Sequence, residues 1–243
     1  MAKVGWGLGA VAVLTGVAVA LVASGAVLLN HPSRSAYPVR GIDVSAYQGD
    51  IDWPAMVGQG IAFAFVKATE GSGFADPKFS ANWAGADQAG LAVGAYHFFS
   101  FDSPGASQAA WFIAHVPRRA GALPPVADVE LYGDYRQHPP GRAAVVTELR
   151  AFLDELEEAY GVAPIIYADA STLAHYLADD FADHRIWIRD VYSRPSLPDG
   201  LAWTFWQYAD KGRLDGYAGP EKFVDFDVFA GTPDEFSALR TTG

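Results

Sequence analysis

The chain has 243 residues, 51% of them apolar, no cysteine, and a formal net charge of −11. That length suits one large domain, and α/β barrels routinely need as much; the missing cysteines exclude thiol nucleophiles and Cys-based metal sites. With Lys3 and Arg34 set aside, 17 basic side chains fall to 15 against 28 acidic ones, a net −13, which excludes a nucleic-acid partner that needs a basic face and charge-driven attraction to an anionic polymer.

The chain opens on an apolar run. Residues 4–29 carry no charge and are interrupted only by Thr15, Ser24 and small glycines. A bilayer core needs about 20 such residues, so the run is long enough to span one. Residues 1–30 therefore read as a signal peptide, with Ala23-Ser24-Gly25-Ala26 as the cleavage region, or as an uncleaved signal anchor. The hydrophobic part of a cleaved signal is usually about 7–15 residues, and this longer run favours the anchor. Uncleaved, residues 4–29 hold the protein to the membrane. Either way Lys3 keeps the N-terminus inside, and the remainder is exported. Residues 31–38, rich in Pro and Ser, have the composition of a linker. Residues 39–243 form one domain, with no further composition break and no internal repeat.

Within that domain, short apolar runs rich in β-branched and aromatic residues predict strands at Val39–Val44, Ile61–Ala68, Leu91–Phe98, Pro125–Leu131, Pro164–Tyr167, Ile186–Ile188, Trp203–Tyr208 and Phe223–Phe229. Pro54 opens a short helix at Ile51–Gly60, with Asp52 near its cap. Ala106–Val116 and Ser171–Leu177 are short helix candidates. The clearest helix is Ala143–Tyr160, where Val145, Leu149, Phe152, Leu153 and Leu156 recur every three or four residues and Gly161 is the stop. Eight strands alternating with helices predict an α/β fold: a parallel TIM-like (β/α) barrel, irregular because some intervals are too short for a helix.

The C-terminal ends of these strands carry Asp43, Lys67 with Glu70, His97, Asp128 with Glu130, Tyr167 with Asp169, Arg189 with Asp190, Gln207 with Tyr208, and Asp225 with Asp227. In such barrels the active site sits at that rim. The sharpest signal is Val126-Ala127-Asp128-Val129-Glu130. Side chains alternate along a strand, so Asp128 and Glu130 point the same way, with Cα atoms roughly 6.6–7 Å apart. Two facing carboxylates repel, which raises the proton affinity of one of them. One protonated and one ionised carboxyl is what glycosidic cleavage requires. Asp43 ends the first strand, and Asp225 and Asp227 lie on the last, its neighbour in a closed barrel.

The ordered set Asp43-Val44-Ser45-Ala46-Tyr47-Gln48-Gly49-Asp50-Ile51-Asp52-Trp53, Phe65-Val66-Lys67-Ala68-Thr69-Glu70-Gly71, Gly94-Ala95-Tyr96-His97-Phe98, Asp128-x-Glu130, Ile165-Ile166-Tyr167, Ile186-Trp187-Ile188, Trp206-Gln207-Tyr208 and Val224-Asp225-Phe226-Asp227-Val228-Phe229 resembles the glycoside hydrolase family 25 lysozymes, the Chalaropsis-type muramidases. The resemblance spans residues 40–230. It implies an irregular eight-stranded barrel that cuts peptidoglycan glycan strands between N-acetylmuramic acid and N-acetylglucosamine. Carried over, Glu130 matches the general acid, and Asp43, Asp128 and Asp225 its acidic partners. Asp128 is the candidate for steering the substrate's acetamido group. The chain departs from the family at Asp227, where Asn is more usual, and at Arg189-Asp190.

Tyr47, Tyr96, Tyr167 and Trp206 are candidates to line the groove, with Gln207, Arg189 and Asp227 as further substrate contacts. Lys67 and Glu70 either touch substrate or pair with each other. His97 is a rim candidate whose alternative is a structural hydrogen bond. The six histidines show no ligand spacing, so no metal or other cofactor is expected. Two other functions compete. A chitinase-like hydrolase would carry two more acids upstream on the Glu130 strand, where this chain has Leu123 and Val126. A non-catalytic glycan-binding barrel would gain nothing from clustered carboxylates.

Overall fold

A computed structural model of the chain describes residues 15–17, 19–198 and 200–241. Nine strands form one sheet: β1 Arg40–Val44, β2 Phe63–Glu70, β3 Phe74–Ala75, β4 Ala92–Phe98, β5 Val126–Asp128, β6 Ile165–Asp169, β7 Arg185–Arg189, β8 Trp203–Gly212 and β9 Val224–Phe229. Their order is β1-β9-β8-β7-β6-β5-β4-β2-β3, and β1 also pairs with β2. That pairing closes eight strands into a barrel and leaves β3 as a hairpin extension of β2. The eight predicted strands are thus present, with ends moved by one to four residues; β3 was not predicted.

The barrel departs from the all-parallel expectation at one strand. β9 runs antiparallel to both β1 and β8. A parallel return needs a crossover of roughly a dozen or more residues, usually a helix. The segment between Gly212 and Val224 is too short for one, so the chain turns back as a hairpin. Asp225 therefore reaches the active rim from the N-terminal end of its strand. Asp227, two residues further along, lies deeper rather than at the edge.

Helices cover the outside unevenly. They are α1 Trp53–Gly58, α2 Phe79–Gln88, α3 Gly105–His115, α4 Arg142–Tyr160 and α5 Pro233–Ser237. Asp52 caps α1, accepting a hydrogen bond from Ala55 N at 3.1 Å. α4 buries the predicted stripe of Val145, Leu149, Phe152, Leu153 and Leu156 and stops at Gly161, whose φ is 69°. After β6 the helix is a single turn, Ala170–Thr172, running into a π-helical segment at Leu173–Leu177. No helix lies between β7 and β8 among the described residues.

Alternation divides the apolar residues into two cores. Phe63, Phe65, Val126, Ile165, Trp187 and Phe205 fill the barrel interior, where Phe65 stacks on Trp187 at 4.5 Å between ring centroids. Gly41 makes room for this filling: a Cβ there would sit 2.2 Å from the Phe63 ring. A larger outer core, including Val66, Ala95, Phe112, Phe152 and Ile166, lies between strands and helices.

The segment read as a linker is laid along the barrel. Asn30 is buried, and its amide donates to the Asp190 and Tyr208 carbonyls, each at 3.2 Å. Arg40 reaches the Pro32 carbonyl, and Tyr37 packs its ring 5.9 Å from that of Trp203. Residues 4–14 and 18 of the predicted membrane-length run lie outside the described residues. Among those described, no helix is long and apolar enough to cross a membrane.

Candidate active site

The barrel places its acids around one mouth. Asp43 at the end of β1 and Asp225 at the start of β9 are opposite each other in the antiparallel register. Asp128 closes β5, and Glu130 follows just beyond the strand end. Val129 between them is fully buried in the outer core, so the alternation of side chains continues past the last ladder bond. Asp43, Asp128, Glu130 and Asp225 line one cavity together with Tyr96, Phe98, Tyr167, Trp187 and Gln207. Through Asp43, Tyr96 and Asp225 this cavity opens into a wider trough bounded by Ser45, Tyr47, Lys67, Asp210, Lys211, Glu221 and Phe223.

Gln207 is the hub of the β1/β9 side. Its amide nitrogen donates to Asp43 Oδ2 at 2.8 Å and to Asp225 Oδ2 at 3.4 Å. Its carbonyl oxygen accepts from the Tyr167 hydroxyl at 2.9 Å. Behind them, Trp187 Nε1 donates to Asp227 Oδ1 at 2.8 Å. Asp227 is fully buried, and its Oδ2 has no hydrogen-bond partner. Burial and then the Asp227 charge hold the Asp43 carboxyl well above the usual range. Burial and then Asp43 do the same for Asp225, and burial and then Asp225 for Asp227.

On the β5 side the acids have fewer partners. Asp128 is buried, and its Oδ1 accepts no hydrogen bond. Burial, followed by the Glu130 charge, raises its proton affinity well above normal, against the pull of Lys67. Glu130 is half-buried at the rim. Burial raises its pKa, partly offset by the Arg189 guanidinium. A buried carboxyl without partners is costly to keep ionised, so burial shifts both members of this pair toward their protonated forms.

The remaining predicted residues divide by strand parity. Tyr96 lines the cavity, so its neighbour His97 faces outward. There it is fully buried, with ring nitrogens 2.7 Å from Thr69 Oγ1 and 3.0 Å from Gln108 Oε1. Its ring stacks on Phe152, and burial lowers its pKa to about 4. It is a neutral core histidine, not a groove residue. Gln207 points in, so Trp206 points out: its indole donates to the Asp190 carbonyl at 2.8 Å and packs against Tyr37. Asp227, also predicted as a substrate contact, is sealed behind Asp43. Lys67 pairs with Glu70 at 2.6 Å, with the lysine still bounding the trough. Arg189 pairs with Asp210 at 2.6 Å. Tyr47 is exposed on the trough wall. Phe98, Trp187 and Asp210 were not predicted at the site. Parity was the available signal for the first two, since they share their strand faces with Tyr96 and Arg189. Among the described residues no group of three His, Asp or Glu side chains is arranged to hold a metal.

Comparison with known proteins supplies an independent line. The profile of "Glycosyl hydrolases family 25" matches residues 42–217. YegX of Escherichia coli (strain K12) is 38% identical over 210 residues, covering 84% of this chain and 74% of its own. Lysozyme M1 of Streptomyces globisporus is 34% identical over 218 residues, covering 83% and 71%. The solved structure of a family 25 glycosyl hydrolase from Bacillus anthracis superimposes with a TM-score of 0.82 at 47% identity, covering 87% of this chain and 97% of that one.

Proposed function

The chain belongs to glycosyl hydrolase family 25, and on that premise we propose that it hydrolyses the β-1,4 bond between N-acetylmuramic acid and N-acetylglucosamine in peptidoglycan, with Glu130 as general acid. The observation that carries the reading is the single cavity shared by Asp43, Asp128, Glu130 and Asp225. Glu130 stands half-buried at the mouth just beyond the end of β5, and its raised proton affinity keeps a proton available for a leaving oxygen.

Asp128 then has a separate part. Its carboxylate lines the cavity and takes no hydrogen bond from the protein, which leaves it as the acceptor for the N–H of the substrate's acetamido group. Accepting that bond favours the ionised form of Asp128 and leaves the proton on Glu130. The acetamido oxygen attacks the anomeric carbon as the glycosidic bond breaks, and Glu130 protonates the departing oxygen. The ionised Asp128 stabilises the positive charge that develops on the oxazolinium ring. Water, deprotonated by the Glu130 carboxylate, opens that ring and restores the acid. Asp43 and Asp225, joined through Gln207, form the opposite wall. The barrel works outside the cytoplasm, where peptidoglycan lies, as the orientation of the apolar N-terminal run requires.

Incubating the full chain in detergent with purified peptidoglycan tests this reading. Mass spectrometry of the released fragments should show N-acetylmuramic acid at every new reducing end. Reducing-end N-acetylglucosamine, or no release, would overturn it. A chitinase-like function has no support from the site, because Leu123 and Val126 are buried in the barrel interior.

A further inference from the structure

The trough has an unusual neighbour. Residues 15–17 and 19–23 are helical, and the chain leaves that helix beside the wall of the trough. Gly25 ends it in the left-handed conformation, with φ 67°. Ala26 N reaches back to the Leu21 carbonyl and Gly25 N to the Val22 carbonyl, both at 3.0 Å, the paired bonds of a Schellman cap. A Cβ on Gly25 would lie 2.8 Å from the Phe223 ring and 3.0 Å from Lys211 Cβ, so the cap is pressed onto the barrel. Lys211 Nζ donates to the Ala23 carbonyl at 3.1 Å, and Arg213 to the Ser24 carbonyl at 3.3 Å. Lys211 and Phe223 are themselves trough walls.

The described residues of the helix are largely open to water. Val17, Val19 and Leu21 are exposed, Val19 to 63%, as are Val27 and Leu29 after the cap. These five are the majority of the nine large hydrophobic side chains exposed among the described residues. They do not make a stripe, because the helix is apolar on every side. A helix apolar all round belongs in a protein core or a membrane, and among the described residues neither core includes its side chains.

We propose that the helix of residues 15–17 and 19–22 seats in the outer leaflet of a lipid bilayer, and that the docked strap of residues 23–37 holds the barrel so that its trough opens beside the membrane surface. Asn30 is the pin: its two bonds, to the Asp190 carbonyl after β7 and the Tyr208 carbonyl in β8, fix the middle of the strap on the barrel. Lys211 and Arg213 complete the seat as cations at the C-terminal, negative end of the helix, where they also face lipid phosphates. The consequence is positional. A groove fixed at the membrane works on glycan strands close to it, not on the outer wall. That consequence rests on the hydrolase reading, whereas the placement itself is measured without turnover.

The chain has no cysteine, so Lys222→Cys beside the trough and Glu158→Cys at the opposite end of the barrel each give one labelling site. The labelled full-length chain, exported and purified, is mixed with vesicles of phosphatidylcholine and phosphatidylglycerol carrying a fluorescent acceptor lipid. The chain should float with the vesicles at its full intact mass. Energy transfer from position 222 should exceed that from position 158 several-fold, and Asn30→Ala should bring the two close to equal without loss of flotation. A mass lacking the N-terminal run, absence of flotation, equal transfer from both sites, or an asymmetry that survives Asn30→Ala would each overturn the proposal. Failure to release sugar fragments with this placement intact would count against the hydrolase reading alone.

Discussion

The two walls of the cavity hold their acids in different ways. On the β1/β9 wall, Asp43, Asp225 and Asp227 are tied to Gln207 and Trp187 by hydrogen bonds from rigid strand side chains. On the β5 wall, Asp128 has a buried oxygen with no partner, and Glu130 stands at a half-open rim beyond the strand end. Both walls raise the proton affinity of their acids by burial and mutual repulsion. Of the acids that line the cavity, only Asp128 has a buried oxygen without a partner. A buried polar atom that no protein group satisfies either costs stability or waits for a ligand. The difference teaches that acid content alone does not mark the chemistry at this mouth; unsatisfied acid facing the cavity does.

That contrast can be broken by mutation. Glu130→Gln should have the largest effect, lowering kcat/KM by about 10²–10⁴ while the melting temperature stays unchanged, because the amide keeps the size and loses the transferable proton. Near-normal turnover by the folded variant would end the assignment. Asp128→Asn should cost about 10²–10³ at every pH, since an amide cannot stabilise a developing positive charge as a carboxylate does. A shifted acidic limb with an undiminished plateau would instead make Asp128 a tuner of Glu130, and the steering role would move to the other wall.

Asp227→Asn should have the smallest effect on rate, and it sharpens the comparison most. Asp227 is sealed from the cavity, so its loss should move the acidic limb to lower pH by relieving Asp43, with little change in the plateau. Its own pKa is raised in the fold. The stability it contributes is therefore full below the ordinary carboxyl range and lost as pH rises through the raised value. Asparagine removes that loss and keeps an acceptor for Trp187. The variant should melt a few degrees higher than the parent at pH 7 and at the same temperature near pH 3. A plateau drop comparable to that of Asp128→Asn would show that this wall also contacts the reacting sugar.

Much of this arrangement was legible along the chain because its causes are local. Alternation puts Asp128 and Glu130 on one side whatever surrounds them, and it holds even where the ladder stops at Asp128. The spacing of Val145, Leu149, Phe152 and Leu156, with Gly161 after them, specifies α4 by itself. Asp52 before Pro54 specifies the start of α1. The element order of a barrel, the acids at its mouth and the family resemblance all follow from such short-range patterns.

Other features depend on contacts between distant residues. Parity says that Tyr96 and His97 cannot both face the groove, nor Trp206 and Gln207, but not which of each pair does. The barrel decided that, by stacking His97 on Phe152 and setting Trp206 against Tyr37. The length of the β8–β9 connection reversed β9 and so placed Asp225 at the rim with Asp227 behind it. Arg189 found Asp210 only once β7 and β8 were assembled. A stretch with the composition of a linker became a strap because Asn30 met two carbonyls about 160 or more residues away. The sequence by itself determined which residues share a strand face or a helix stripe, since backbone geometry repeats every two or 3.6 residues. Only the tertiary structure decided which face is the groove and which acid is left without a partner, because burial and hydrogen-bond satisfaction are properties of neighbours that the chain brings together from far apart.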